Sequence, residues 1–254
     1  MTTVSNDDLF AYALRLGDDS LILGQRLGEW CAKSPEMELD IALMNTALDV
    51  LGRARGFLTY AGQVEGKGRD EDALAFLRDV EAFGNVLLVE QPNGSFADTI
   101  ARQFLFDAFD LPFMEALAAS ADETLSAIAA KAVKETGYHL RFSREWTIRL
   151  GDGTEESHRR MQAAVTDMWP YVHELFEMDA VEERLCAAGI AVDRAALRDR
   201  FEQTVTDTLA EATLTRPETS WRPVGGRRGR HTEVFGHLLA EMQWMQRAYP
   251  GCKW

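Results

Sequence analysis

Positive charge, strand-like alternation, cysteine and long apolar runs are all scarce in this chain, and each shortage removes a class of function. Against 41 Asp and Glu stand 27 Lys and Arg, a formal charge of −14 at neutral pH. The cationic surface that nucleic acid or an anionic membrane requires is therefore missing, and proteins with basic patches are the partners to expect. No uncharged apolar run approaches the ~20 residues of a bilayer span, and MTTVSNDDLF has neither a basic n-region nor an apolar h-region. Cys31, Cys186 and Cys252 are odd in number, far apart and without Cys-x-x-Cys spacing. That argues against a disulfide framework or a thiolate metal site, and for a reducing compartment. Gly-x-Ser-x-Gly is absent, as is a phosphate-cradling Gly-rich loop after a strand. The expectation is a soluble cytoplasmic protein.

What is abundant is amphipathic helix. With 254 residues, 46% of them hydrophobic, the chain can bury a real core, and a single domain over 1–254 is expected. A first helix spans roughly Asp7 to Ala32, with Gly17 as a bend, and Ser34 and Pro35 separate it from the next. Ile41, Met44, Leu48, Leu51, Arg55 and Leu58 follow steps of three and four, as do Leu125, Ile128, Ala132, Glu135, His139, Phe142 and Trp146. Both stripes are expected to face inward. Between Gly62 and Gly94 lies a looser crossover with a short acidic helix near Glu71 to Arg78. Pro92, Asn93 and Gly94 close it, and Ser95 caps a helix running to about Ala118 that mixes Phe96, Ile100 and Phe104 with Asp98, Arg102, Gln103 and Asp107. A fourth helix covers Asp122 to Leu150.

After the GDGT turn a fifth helix carries Met161, Val165, Met168, Val172 and Leu175, kinked by Pro170. Asp193 caps a sixth helix, and Thr232 to Gln246 forms a seventh with Phe235, Leu238, Met242 and Met245 inward. The pattern predicts an all-α, ferritin-like four-helix bundle at about 7–150, with additional C-terminal helices at about 154–248.

A di-iron carboxylate bundle takes one Glu from each of two helices and a Glu-x-x-His pair from each of the other two. Of the five histidines, only His158 has a Glu, Glu155, three positions earlier, and that pair sits in a charged first turn typical of a solvated helix start. The second helix has no histidine. Glu233 and His237 fall beside the apolar stripe of the last helix and read as an exposed pair. Glu135 and His139 remain on an inward stripe, opposite one that includes Arg55. A lone buried carboxylate or guanidinium is costly, so mutual pairing is expected, with Gln103 and Asp107 completing a buried polar network of Arg55, Gln103, Asp107, Glu135 and His139. No catalytic residue and no metal ligand is assigned. The alternative is a metal held by Glu135 and His139.

Four long segments, RLGDDSLILGQRLGEW from Arg15, LVEQPNGSFADTIARQ from Leu88, KETGYHLRFSREW from Lys134 and GGRRGRHTEVFGHLLAEMQWMQ from Gly225, closely resemble one family. It is that of the C subunits of ring-1,2-phenylacetyl-CoA epoxidases, multicomponent monooxygenases of bacterial phenylacetate breakdown. The likeness runs from Leu9 to Trp254. It implies a ferritin-like fold, no cofactor in this chain, and a catalytic A subunit of similar fold that holds the di-iron centre. A small B subunit, a D subunit and a flavin and iron-sulfur reductase complete such systems. Where the related catalytic subunit places a Glu three residues before the histidine, this chain has Thr136.

The resemblance also implies phenylacetyl-CoA bound by the A subunit, near this chain. Phe83, Gly84 and Asn85 are the candidate substrate contacts, because Gly admits a close backbone approach and Asn both donates and accepts; a plain turn is the plainer reading. Arg227, Arg228 and Arg230 form the one concentrated cationic run and are the candidates for CoA phosphates or an acidic partner patch, against a solvated loop. Three functions follow: a non-catalytic structural subunit that stabilises the A subunit, a metal-binding oxygenase subunit with its own iron, or an independent acyl-CoA binding module.

Overall fold

Short polar side chains mark where the helices begin. In the computed structural model, which describes residues 5–252, Ser5 accepts a hydrogen bond from the Asp8 amide at the start of α1 (Asn6–Gly28). α2 (Met37–Glu65) ends at Gly66, whose φ of 68° suits glycine. Asp70 caps the short α3 (Glu71–Phe76). Ser95 and Asp98 cap α4 (Phe96–Leu117) reciprocally, the Ser95 amide donating to Asp98 Oδ2 over 2.7 Å. Asp122 and Thr154 do the same service for α5 (Glu123–Gly151) and α6 (Glu155–Met168). α6 stops short of Pro170, which lies in a 3-10 segment, Trp169–Phe176, rather than kinking a continuous helix. Then come α7 (Ala180–Ala187), α8 (Arg198–Glu211), introduced by Asp193 bonding the Ala195 amide, and α9 (Glu233–Ala248).

Among the described residues the chain is helical with no strand, consistent with an all-α ferritin-like fold. α1 and α2 form one antiparallel pair and α4 and α5 another. Gly17 lets the first pair approach: a Cβ there would lie 2.6 Å from Leu58 Cδ2, and one at Gly24 2.7 Å from Leu51 Cγ. Gly17 is thus a contact point inside an unbroken helix, not a bend. α4 is buried on nearly every side, by α5, α6, α8 and the 3-10 segments. On α9 Phe235 and Leu238 are buried, whereas Met245 is exposed.

The expected inward stripe of α2 is the main correction. Of that stripe Leu58 is buried and Met44 and Leu51 are half-buried, but Ile41, Leu48 and Arg55 are exposed, and the buried face is centred on Leu43, Ala47, Val50, Ala54, Phe57 and Ala61. α5 follows its expected stripe at Leu125, Ala132 and His139, with Ala129, Thr136 and Ser143 completing the buried side.

The crossover before α4 is buried yet largely irregular, so its amides need acceptors. Carboxylates supply them. Asp18 accepts from the Gly84 amide (2.8 Å), Asp19 from Val86 (2.8 Å), and Glu174 from Leu87 (2.7 Å), Gly225 (2.7 Å) and Gly226 (2.8 Å). Glu90 accepts from the Thr232 amide (2.7 Å) and from Asn85 Nδ2 (2.9 Å), and contacts His231 Nδ1 at 2.7 Å. The approach is so close that a Cβ on Gly226 would meet the Asn85 carbonyl oxygen at 2.1 Å. Gly226→Ala should therefore lower stability by about 1 to 3 kcal/mol, read as a reduced urea midpoint. Gly137→Ala, inside α5 with nothing within 4 Å of its Cβ position, should instead raise it by about 0.5 to 1 kcal/mol.

Candidate functional site

The long helices send polar side chains into one interior layer, and a guanidinium sits at its centre. Arg53 of α2 is buried because it lies on the same helix face as Val50, Ala54 and Phe57. Its Nη1 is 2.6 Å from Asp110 Oδ2 on α4, and its Nε donates to Ser20 Oγ on α1 over 3.0 Å. One turn back along α4, Asp107 accepts from Gln103 Nε2 (2.6 Å) and from Ser143 Oγ on α5 (2.7 Å). His139 Nε2 meets Asp49 Oδ2 of α2 at 3.0 Å. A cavity of about 10 Å³ beside Ser20, Arg53 and Asp110 has room for about one water.

Electrostatics follow from burial. Asp107 is pushed well above the usual carboxylate range, first by desolvation and then by the charge of Asp110, against its bonds to Ser143 and Gln103 and the field of Arg53. Desolvation lowers the His139 pKa, which its bond to Asp49 only partly offsets. The imidazole is therefore neutral at neutral pH, with Nε2–H donating to Asp49 and a buried Nδ1 that has no partner. Glu135 is half-buried, with its pKa raised by desolvation and then by the Asp49 charge.

Gln103, Asp107 and His139 thus lie together in this layer, and Glu135 lies at its edge without bonding His139. Arg55 is elsewhere: its side chain is 77% exposed and pairs with Glu71 at 3.0 Å. Arg53, two residues earlier, holds the interior position foreseen for Arg55. Sequence reading also missed Asp49 and Asp110. Arg53 could have been found from its spacing to Thr46, Val50 and Phe57, which share its buried side.

A dinuclear metal does not fit this donor set. Asp110 is engaged by a cation, Asp49 by the imidazole and Asp107 by two neutral donors, and Thr136, buried, turns its hydroxyl to the Ala132 carbonyl. Among the described residues no group of three or more His, Cys, Asp or Glu is placed to hold a metal ion. His158 contacts the Gly151 carbonyl with Nδ1, and Glu155, Glu233 and His237 are exposed.

The other candidates lie in the crossover anchor. Phe83 is enclosed between the Phe235 ring and the Arg78 guanidinium. Gly84 gives its amide to Asp18 and its carbonyl to Arg227, and Asn85 is buried against Glu90 and Gly226. In this chain those three surfaces face other protein groups. Arg227 is turned inward, to Asp19 at 2.7 Å, whereas Arg228 and Arg230 are exposed.

Arg53→Met strands Asp110 and should cost about 3 to 5 kcal/mol, most of it restored in Arg53→Met/Asp110→Leu; a denaturant double-mutant cycle measures both. The pH profile should split by residue. Asp107 binds its proton more tightly when folded, so its contribution is full below the ordinary carboxylate pKa near ~4 and is lost as pH rises towards its raised value. His139 binds its proton less tightly when folded, so its contribution is full above ~6.5 and is lost as pH falls. Asp107→Asn should accordingly raise stability at about pH 8 relative to the parent, by less at about pH 5, while His139→Gln should flatten the decline below ~6.5. Urea midpoints across that range test both signs.

Comparison with known proteins agrees with the sequence resemblance. The chain is 52% identical over 248 residues to the C subunit of the 1,2-phenylacetyl-CoA epoxidase of Escherichia coli (strain K12), covering 98% of this chain and 100% of that relative. The family model described as phenylacetic acid catabolic protein matches residues 1–254. A match of that extent places the chain in the phenylacetic acid catabolic protein family, as a homologue of an epoxidase C subunit.

Proposed function

We propose that this chain is the non-catalytic subunit of an oxygen-dependent epoxidase acting on phenylacetyl-CoA, where it stabilises the catalytic A subunit in the cytoplasm. The observation that supports the reading is the Arg53–Asp110 pair inside the helical layer: the chain engages a buried carboxylate there with its own guanidinium, whereas a di-iron bundle draws Glu and Glu-x-x-His ligands from its helices. The subunit name of the Escherichia coli relative supports a multi-subunit setting. In this reading the di-iron centre belongs to the A subunit, the B subunit and the reductase complete the system, and phenylacetyl-CoA is handled by the A subunit near this chain. No helix among the described residues is long and apolar enough to cross a membrane.

Co-expression with the catalytic subunit tests it. The chain purified alone should contain no stoichiometric iron, should form a complex with the A subunit on sizing, and should raise its turnover of phenylacetyl-CoA. Glu135→Ala should weaken folding or association without changing metal content. Tight iron binding by the single chain that disappears in His139→Ala would reverse the reading in favour of an oxygenase subunit with its own iron.

A further inference from the structure

Part of the stripe that sequence periodicity turns inward on α2 is turned outward in the fold. Met37 is 71% exposed, Ile41 54% and Leu48 67%, on one face of the helix. α5 packs against α2, leaving beside the row the groove that two packed helices form between them, and there it presents exposed Tyr138 and half-buried Phe142. Gly52 leaves its part of the groove open, with nothing within 4 Å of its Cβ position. From Met37 to Arg55 this face runs about 27 Å at 1.5 Å per residue, long enough for a docked helix. Isolated exposed apolar residues are ordinary on a protein surface; a periodic row of them bordering a groove marks an interaction site.

The groove also carries negative charge. Asp49 is 37% exposed and meets only the neutral His139 ring. Glu135, a turn before His139, has no hydrogen bond or ion pair among the described residues and feels both burial and the Asp49 charge, which Lys131 and Arg53 counter only in part. A half-desolvated carboxylate pair of this kind calls for an opposite charge. We propose that the α2–α5 face is the docking surface for an amphipathic helix of another subunit, which lays apolar side chains on Met37, Ile41, Leu48 and Tyr138 and sets a Lys or Arg between Asp49 and Glu135. A second copy of this chain is the poorer occupant, since an isologous contact centred on the groove would bring Asp49 and Glu135 against their own duplicates.

The inference rests on the reading that the chain works inside a multi-subunit enzyme, and association of the full chain with the co-expressed catalytic subunit separates the two. Ile41→Asp/Leu48→Asp changes only exposed positions, so its melting temperature should match the parent while affinity for the partner falls about 30-fold or more, the loss expected of a hot spot. Glu135→Lys should weaken association more than Glu135→Gln. A double variant that binds like the parent overturns the docking surface and leaves the subunit reading intact, and an unchanged Glu135→Lys removes the cationic side chain. No complex with the parent chain overturns both. A homodimer of the parent that the double variant dissolves makes a second copy the occupant and overturns the partner assignment.

Discussion

An irregular segment inside a protein must find acceptors for its own amides, and in this chain that demand organises everything outside the long helices. Each buried amide left alone costs about 1–3 kcal/mol, and the crossover has Gly84, Val86 and Leu87 to satisfy. The acceptors are carboxylates drawn from other parts of the chain, and a further carboxylate secures the C-terminal loop. Asp18 and Asp19 stand side by side on α1, Glu174 on the segment after α6, and Glu90 in the crossover itself. The two on α1 are in turn balanced: Arg78 pairs with Asp18 and Arg227 with Asp19. Helix α1, crossover and C-terminal loop are thereby held as one unit.

The polar layer between the helices obeys the same logic on a smaller scale. Arg53 is tolerable inside because Asp110 and Ser20 meet it, and Asp107 because Ser143 and Gln103 do. Such groups contribute little net stability compared with apolar packing of equal volume. Their effect is to fix which helix faces which, since Arg53 bonds Asp110 and Ser20, and Asp107 bonds Ser143, across helix boundaries. The layer is closed towards α4 and open only at Asp49 and Glu135, where α2 and α5 border solvent.

Much of this was legible in the residues because helix ends are written in local chemistry. Ser95, Asp122 and Thr154 begin helices wherever they follow a breaker, and the observed starts lie within a residue of the expected ones. Faces were harder. α2 carries two periodic rows, one through Ile41 and Leu48 and one through Leu43, Ala47, Val50, Ala54 and Phe57, and spacing alone does not choose between them. α1 packs closely through Gly17 and Gly24 against Leu58 and Leu51, so those members of the expected row are covered, while Ile41, Leu48 and Arg55 lie further round the helix and stay outside. Choosing the wrong row substituted Arg55 for Arg53. The partner of His139 was missed for a related reason: Glu135 is a neighbour along the helix, but Asp49 faces the ring from across it. Periodicity says which residues share a side and nothing about what stands opposite.

The loop from Gly225 to Thr232 closes onto residues that precede it by more than a hundred positions: Gly226 rests on Asn85, and His231 and Thr232 engage Glu90. During synthesis the ribosome delivers the crossover long before this clasp. Until then Glu90 has Asn85 but not His231 or Thr232, and Glu174 has Leu87 but not Gly225 or Gly226, so the interior that the crossover begins is completed only when this loop is made.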